Sequence, residues 1–417
     1  MKVLWITNIL FPEAISLITK QPAISRSGGW MIGAAKALVE NKNNMNLSVA
    51  TITNLVDDLV KVDGAQWSYY ALPYGKGAFN FNDEYEKYWK RIEAEYKPDV
   101  VHIHGTELSL GLSFVNACGA DNVVVSIQGL TSVICNYYEA GMSRAEIIKS
   151  MTPRDIIRGS ILKDKWRFEQ RGLYEIELLR KVHHVIGRTH WDRSHVWAIN
   201  PEAHYYYCNE TLQPPFYEGR WEYAKCIPHS IFVSQASYPL KGFHQLLKAL
   251  PLVIKQYPDV KVNVAGTHRE MRSFSQRKNM SGYENYLNKL ISKLDLEEHV
   301  NWLGALDVLQ MKHEYLSANV FISPSSIENS PNSVCEAQML GTPVIASYVG
   351  GTMDLIPNES CGYLYRFEDI EMLAHLICTV FAKSLSFDNT IMQATSRDRH
   401  NGIANSQILQ SIYTSVS

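Results

Sequence analysis

Ser325-Ser326-Ile327-Glu328-Asn329-Ser330-Pro331-Asn332-Ser333-Val334-Cys335-Glu336-Ala337 follows a short β-branched run, Val320 to Ser323, and leads into an apolar helical stretch. A buried strand that runs through a polar loop into a helix start is the repeating unit of a parallel sheet with crossover helices. Ser330 is expected at the N-cap and Pro331 at the first helical position, so that the amides of Asn332, Ser333 and Val334 point back toward the strand ends. Unpaired N–H groups and the positive end of the helix dipole make that point an anion site. Asn329, Ser330, Asn332 and Ser333 are accordingly read as phosphate contacts. Glu336 lies one turn deeper on the face of Asn332, and Glu328 precedes the cap. A solvated loop carboxylate and a solvated helix position fit the same spacing. The apolar neighbours of Glu336, however, make an unpaired charge there costly and favour a ligand.

Outward from this stretch the same alternation fills the chain. Strands are expected at Val3 to Thr7, Leu47 to Thr53, Trp67 to Leu72, Val100 to His104, Val123 to Ile127, His184 to Arg188 and His204 to Tyr207. It restarts after Pro228 with Ser230 to Val233, Val260 to Ala265, Val300 to Leu303, Val320 to Ser323, Pro343 to Ala346 and Gly362 to Tyr365. The fold class is α/β: two Rossmann-like, doubly wound domains in series, with the ligand expected in a cleft at the carboxyl ends of their strands. The boundaries are expected at 1–222 and 223–388, and 389–417 is expected to return to the first domain as a crossover helix.

Composition excludes several classes. The 417 residues are 46% hydrophobic and carry 40 Lys plus Arg against 42 Asp plus Glu, so no overall field draws the chain to nucleic acid. Seven cysteines without a C-x-x-C pair argue against a disulfide framework and against a zinc ribbon. Met1 to Thr7 is too short for a signal peptide or a membrane span, and a cytoplasmic chain is expected. One segment departs from neutrality: Arg144 to Arg193 holds twelve Lys or Arg against seven Asp or Glu, interleaved with Ile156, Ile157, Trp166 and Phe168. Two readings stay open, a long amphipathic helix with a solvated basic face and a peripheral docking face for anionic headgroups or a phosphorylated acceptor.

Other residues qualify singly. Lys241, in Tyr238-Pro239-Leu240-Lys241-Gly242 before a long helix, is placed to neutralise a diphosphate. Gly350 and Gly351 follow a strand and permit close backbone approach, a second amide nest or a plain turn. In the first half, Gly28 and Gly29 open a helix, and no G-x-G-x-x-G accompanies them. His102 and His104 share one face of a strand; packing, substrate contact and metal ligation all fit that placement. Arg188 ends a strand as a candidate cation, and Thr189 with Asp192 resembles a capping box.

Taken together these residues resemble the retaining, nucleotide-sugar-dependent glycosyltransferases of the two-Rossmann-domain (GT-B) type, family four. Glu328 to Glu336 matches the E-x7-E signature, and Glu336-Ala337-Gln338-Met339-Leu340-Gly341-Thr342-Pro343-Val344-Ile345 is similar to the run that accompanies it. The resemblance implies transfer of a hexose-like unit from a nucleoside diphosphate sugar to the hydroxyl of a glycan or lipid-linked glycan acceptor. It implies no metal and no cofactor beyond the donor. Glu336 would hold the ribose, Glu328 the donor sugar, and Lys241 with the amides near Asn332 and Ser333 the diphosphate. Gly28 and Gly29 would form the glycine loop. Two departures stand out. Gln235 and Ala236 occupy the place of an arginine common in the family, for which Arg188 or Arg269 would compensate. Gln128 stands where many members carry a histidine near the reacting sugar, leaving Gln128 and His104 as the first-domain candidates for the reaction centre. The same architecture also fits a nucleotide-sugar epimerase and a binding protein with lapsed catalysis.

Overall fold

The computed structural model describes residues 1–23, 29–40, 45–74, 83–268, 279–383 and 389–417. Gly28 and Arg269 lie outside the described residues. Two parallel sheets organise the chain. The first comprises β1 (Lys2–Ile6), β2 (Asn46–Thr53), β3 (Val60–Asp63), β4 (Ser68–Pro73), β5 (Val100–His104), β6 (Val123–Ser126), β7 (His184–Gly187) and β8 (His204–Tyr207), in the order β3-β4-β2-β1-β5-β6-β7-β8. All its pairings are parallel except β3 with β4, which are antiparallel.

The β-strand period explains why this sheet is covered on both faces. Val3 and Trp5 enter one apolar cluster and Leu4 and Ile6 the other. Val124 and Val125 on β6, and Ile186 and Val185 on β7, divide the same way. Seven of the eight strands follow the sequence reading. The eighth, β3, is a half-exposed edge strand folded back onto β4.

The second sheet comprises β9 (Ser230–Val233), β10 (Lys261–Ala265), β11 (Val300–Gly304), β12 (Val320–Ser323), β13 (Val344–Ser347) and β14 (Tyr363–Tyr365). Its order is β11-β10-β9-β12-β13-β14, all parallel, and all six strands were expected. The order reverses between β9 and β12, which makes the loops after those two strands the expected ligand position.

Contacts divide the chain into two compact units, 1–133 with 168–213 and 400–417, and 134–167 with 214–399. The sequence reading placed 134–167 with the first sheet; here it packs within the second unit. Nor is 144–193 one long helix. Helices Arg144–Ser150, Pro153–Arg158 and Ile161–Lys181 precede β7, and helix His190–Ile199 follows it. Pro153 at a helix start and Gly159, a C-cap at φ +112°, make the breaks. The expected crossover helix is likewise two helices, Asn389–Arg399 in the second unit and Gly402–Val416 in the first. Asn401 caps the latter through the amides of Ile403 and Ala404.

Candidate active site

In the second unit, β9 leads into a single 3-10 turn, Pro239–Lys241, and then helix Phe243–Ile254. Gly242 joins them at φ +63°, and a Cβ there would stand 1.7 Å from the carbonyl oxygen of Pro324, in the loop after β12. Only glycine tolerates both the dihedral and the approach. The Ser326 amide donates to the Leu240 carbonyl at 2.8 Å, so the two loops at the sheet's reversal point are fastened backbone to backbone.

This fastening brings Lys241 and Glu328 together. Lys241 Nζ donates to Glu328 Oε1 at 2.5 Å, and Ser325 Oγ donates to the same oxygen at 2.7 Å. Both charged side chains are largely buried, 24% and 15% exposed. Burial alone would pull the lysine pKa down; the Glu328 carboxylate and Tyr238 outweigh it and raise it above the ordinary value. The backbone of Glu328 is held as firmly: its carbonyl accepts the Gly351 amide at 3.0 Å. Gly350, at φ +51°, passes so close that a Cβ would lie 1.9 Å from that carbonyl oxygen. The two glycines therefore clamp Glu328, and the Gly351 amide is spent on it rather than on a second anion nest.

The following helix runs Asn332–Leu340. Its N-cap is Pro331, one residue later than the expected Ser330, and no side chain caps it. The expected trio of open amides is reduced, because the Val334 amide bonds the Pro331 carbonyl at 3.0 Å; Asn332 and Ser333 are the first two residues of the helix. Ser330, Asn332 and Ser333 are partly exposed, whereas Asn329 is buried.

Glu336 projects from the second turn and accepts a hydrogen bond from Tyr315 Oη at 3.0 Å. Burial pushes its carboxyl up to about 8, and the Tyr315 bond pulls the other way. Tyr315 is wholly buried, from helix Val308–Ser317, and it and Ser325 are the site residues that sequence reading missed. At the position of the family's arginine, Gln235 Oε1 accepts from the Ala236 amide and Ser237 Oγ.

The first-unit residues form a separate constellation. His102 and His104 stack at 3.8 Å, on one face as the strand period expects. Trp5 Nε1 donates to Tyr413 Oη at 2.8 Å, and that hydroxyl lies 2.5 Å from His102 Nδ1. His102 Nε2 lies 2.6 Å from Ser126 Oγ, so both ring nitrogens of His102 are hydrogen-bonded, with the donor at each set by the tautomer. His104 is buried beside Trp5 with neither ring nitrogen hydrogen-bonded among the described residues, and burial drops its pKa to about 3. His104, Gln128, Arg188 and Trp30 share the wall of one small cavity.

Arg188 is not a spare cation. It is buried, forms an ion pair with Glu210, and donates to the carbonyls of Ile127 and Gln128 at 2.9 and 3.2 Å. The Thr189 and Asp192 capping box forms as read. Gly29 opens helix Gly29–Glu40.

The chain has the GT-B fold. The Anabaena HepE protein, in a structure with UDP and glucose, superposes at a TM-score of 0.66 with 15% identity and full coverage of both chains. Residues 228–396, which hold Lys241, Glu328 and Glu336, match the family of glycosyl transferases group 1. A GDP-mannose-dependent monoacylated alpha-(1-6)-phosphatidylinositol monomannoside mannosyltransferase of Corynebacterium glutamicum is 28% identical over 146 residues, 33% of this chain and 34% of that protein. The capsular polysaccharide biosynthesis glycosyltransferase CapM of Staphylococcus aureus is 27% identical over 137 residues, 33% of this chain and 32% of that protein. The matched stretch thus spans about a third of the length of these relatives.

Proposed function

We propose that the protein is a retaining glycosyltransferase that moves a sugar from a nucleoside diphosphate sugar to an acceptor hydroxyl in surface polysaccharide or glycolipid biosynthesis. The observation that carries this reading is the placement of Lys241 and Glu328 on two fastened loops where the second sheet reverses, with Glu336 on the helix that follows. Lys241 takes the diphosphate as a point charge, assisted by the first-turn amides of the helix Asn332–Leu340. Glu336 takes ribose hydroxyls with the carboxylate oxygen not engaged by Tyr315. Glu328 grips the transferred sugar and favours positive charge at its anomeric carbon. The acceptor oxygen bonds that carbon on the face the diphosphate leaves. The acceptor proton passes to the departing phosphate oxygen, so the step needs no side-chain base and is compatible with Gln128 and with a neutral His104. The names of the relatives, a glycolipid mannosyltransferase and a capsule enzyme, support the acceptor class.

The test is a donor panel. UDP, GDP, ADP and dTDP sugars are screened by thermal shift, where a ligand at a hundred times its Kd adds about 2.7 kcal/mol. The stabilising donor is then incubated with and without a lipid-linked glycan acceptor. Transfer with an unchanged anomeric configuration supports the reading. An altered nucleotide sugar without acceptor makes the protein an epimerase, and binding without either product makes it a binding protein.

A further inference from the structure

We infer that the outward side of residues 144–158, in the second unit, is a docking surface for an anionic phospholipid bilayer. The inference does not rest on the glycosyltransferase reading, because it is argued from the chemistry of this surface alone.

Two short helices, Arg144–Ser150 and Pro153–Arg158, lie along helix Gly282–Lys293 and are fastened to it by polar bonds. Tyr286 Oη donates to Glu146 Oε1 at 3.0 Å, Asn285 Nδ2 to the Ser150 carbonyl at 2.7 Å, and the Gly282 amide to Asp155 Oδ1 at 3.1 Å. These bonds fix which side faces inward. Ile147 and Asp155 are buried there, while Ile156 and Ile157 are 78% and 80% exposed and Ile148 is 60% exposed. Two neighbouring isoleucines so bare on a six-residue helix bury nothing in the protein, which marks an interaction site rather than ordinary surface.

Charge identifies the occupant. Both acidic residues of 144–158 are engaged by the protein. Glu146 accepts from the Ser143 amide and from Tyr286, and Asp155 accepts from the amides of Thr152 and Gly282. The basic residues face the other way: Arg144, Lys149 and Arg158 are exposed. Lys289, also exposed, lies beside them with its ammonium on the Lys149 carbonyl. Bare aliphatic side chains ringed by exposed cations, with the anions withdrawn, match the acyl boundary and phosphate layer of an anionic membrane. Among the described residues no helix is long and apolar enough to cross a membrane, so attachment by this surface would be peripheral.

The experiment is co-sedimentation of the full chain with vesicles of phosphatidylcholine, with and without phosphatidylglycerol. Binding is expected only with phosphatidylglycerol, and is expected to weaken as salt screens the cations. Ile156→Ser with Ile157→Ser should weaken it about tenfold or more. Each of Lys149→Glu and Arg158→Glu should weaken it at least about fivefold. Ile157→Trp should strengthen it while the circular dichroism spectrum and melting temperature stay unchanged, which separates the gain from partial unfolding. Equal binding by the serine variant, or no binding of the wild type to phosphatidylglycerol vesicles, overturns the inference. So does a self-association that the serine variant abolishes while vesicles bind neither protein, since the surface is then a contact between copies.

Discussion

Lys241 Nζ sits 2.5 Å from Glu328 Oε1, so the cation proposed for the diphosphate is already neutralised by the carboxylate proposed for the sugar. A donor must therefore displace one partner from the other. Glu328→Gln removes the competing charge, and affinity for a free nucleoside diphosphate should rise about tenfold, the equivalent of ~1.4 kcal/mol. The turnover number should fall about tenfold to a thousandfold, because the lost charge acts in the transition state. Titration calorimetry with the diphosphate alongside steady-state kinetics checks both, and a weaker-binding glutamine variant refutes the competition.

Lys241→Ala should lower affinity for the diphosphate about tenfold or more while leaving affinity for the bare nucleoside nearly unchanged. Parallel losses for the two ligands would remove Lys241 from the phosphate site.

Burial pushes the Glu336 carboxyl up to about 8, which favours its protonated form at neutral pH. Ribose hydroxyls donate to a carboxylate and favour its ionised form. Nucleotide affinity should then climb from pH 6 to pH 8, by at most about tenfold per pH unit, and level off above. Calorimetry in buffers of different ionisation enthalpy should show proton release on binding. Tyr315→Phe deletes the bond that holds the pKa down, so the rise should move to higher pH. An affinity flat across this range counts against Glu336 as the ribose ligand.

Gly350→Ala puts a Cβ 1.9 Å from the Glu328 carbonyl oxygen at φ +51°, and should cost about 1 to 3 kcal/mol as well as displace Glu328. Gly33→Ala is the contrast: nothing lies within 4 Å of its Cβ inside helix Gly29–Glu40, and stability should be unchanged or higher by about 0.5 to 1 kcal/mol. Thermal unfolding of both variants tests the pair.

Burial depresses His102 well below its ordinary pKa, His104 to about 3 and His244 to about 4. The unfolded chain then binds protons that the folded chain refuses. The contribution is fully present above pH 6.5 and is lost as pH falls through the window from 6.5 toward 4, about 1.4 kcal/mol per pH unit for each histidine. Melting temperatures at pH 7.5, 6 and 5 should drop accordingly. His244→Asn, which can still bond Tyr283 and the Ala140 carbonyl, should flatten part of the slope.

Buried parallel strands write themselves as continuous apolar runs, which is why all of the second sheet and most of the first were legible. Val60-Lys61-Val62-Asp63 was not, since four residues of half-exposed edge give too short a period. Lys241 and Glu328 were each readable from a strand-to-helix turn, but their ion pair depends on Gly242 meeting Pro324, a contact across many residues. Tyr315 carried no signal: an aromatic at a helical period looks like core whether or not its hydroxyl has a carboxylate to hold. Arg188 misled for the same reason, because nothing local marks Glu210 as its partner. In 144–193 the charge count left a solvated helix and a docking face both open, and Pro153 and Gly159 held the unread evidence of where its helices break.

The hydrogen bond from Trp5 to Tyr413 joins residues 408 positions apart, and Leu409, Ile412 and Val416 fill the same apolar face as Val3 and Trp5. A ribosome adding roughly 5 to 20 residues per second makes β1 tens of seconds before that helix emerges. The second unit has all its strands in hand earlier, while the nascent first sheet waits with part of one face uncovered. Translation thus imposes an order of maturation that the finished molecule no longer displays, and the growing chain is most exposed to aggregation, and most in need of a chaperone, just before its residues from 400 onward appear.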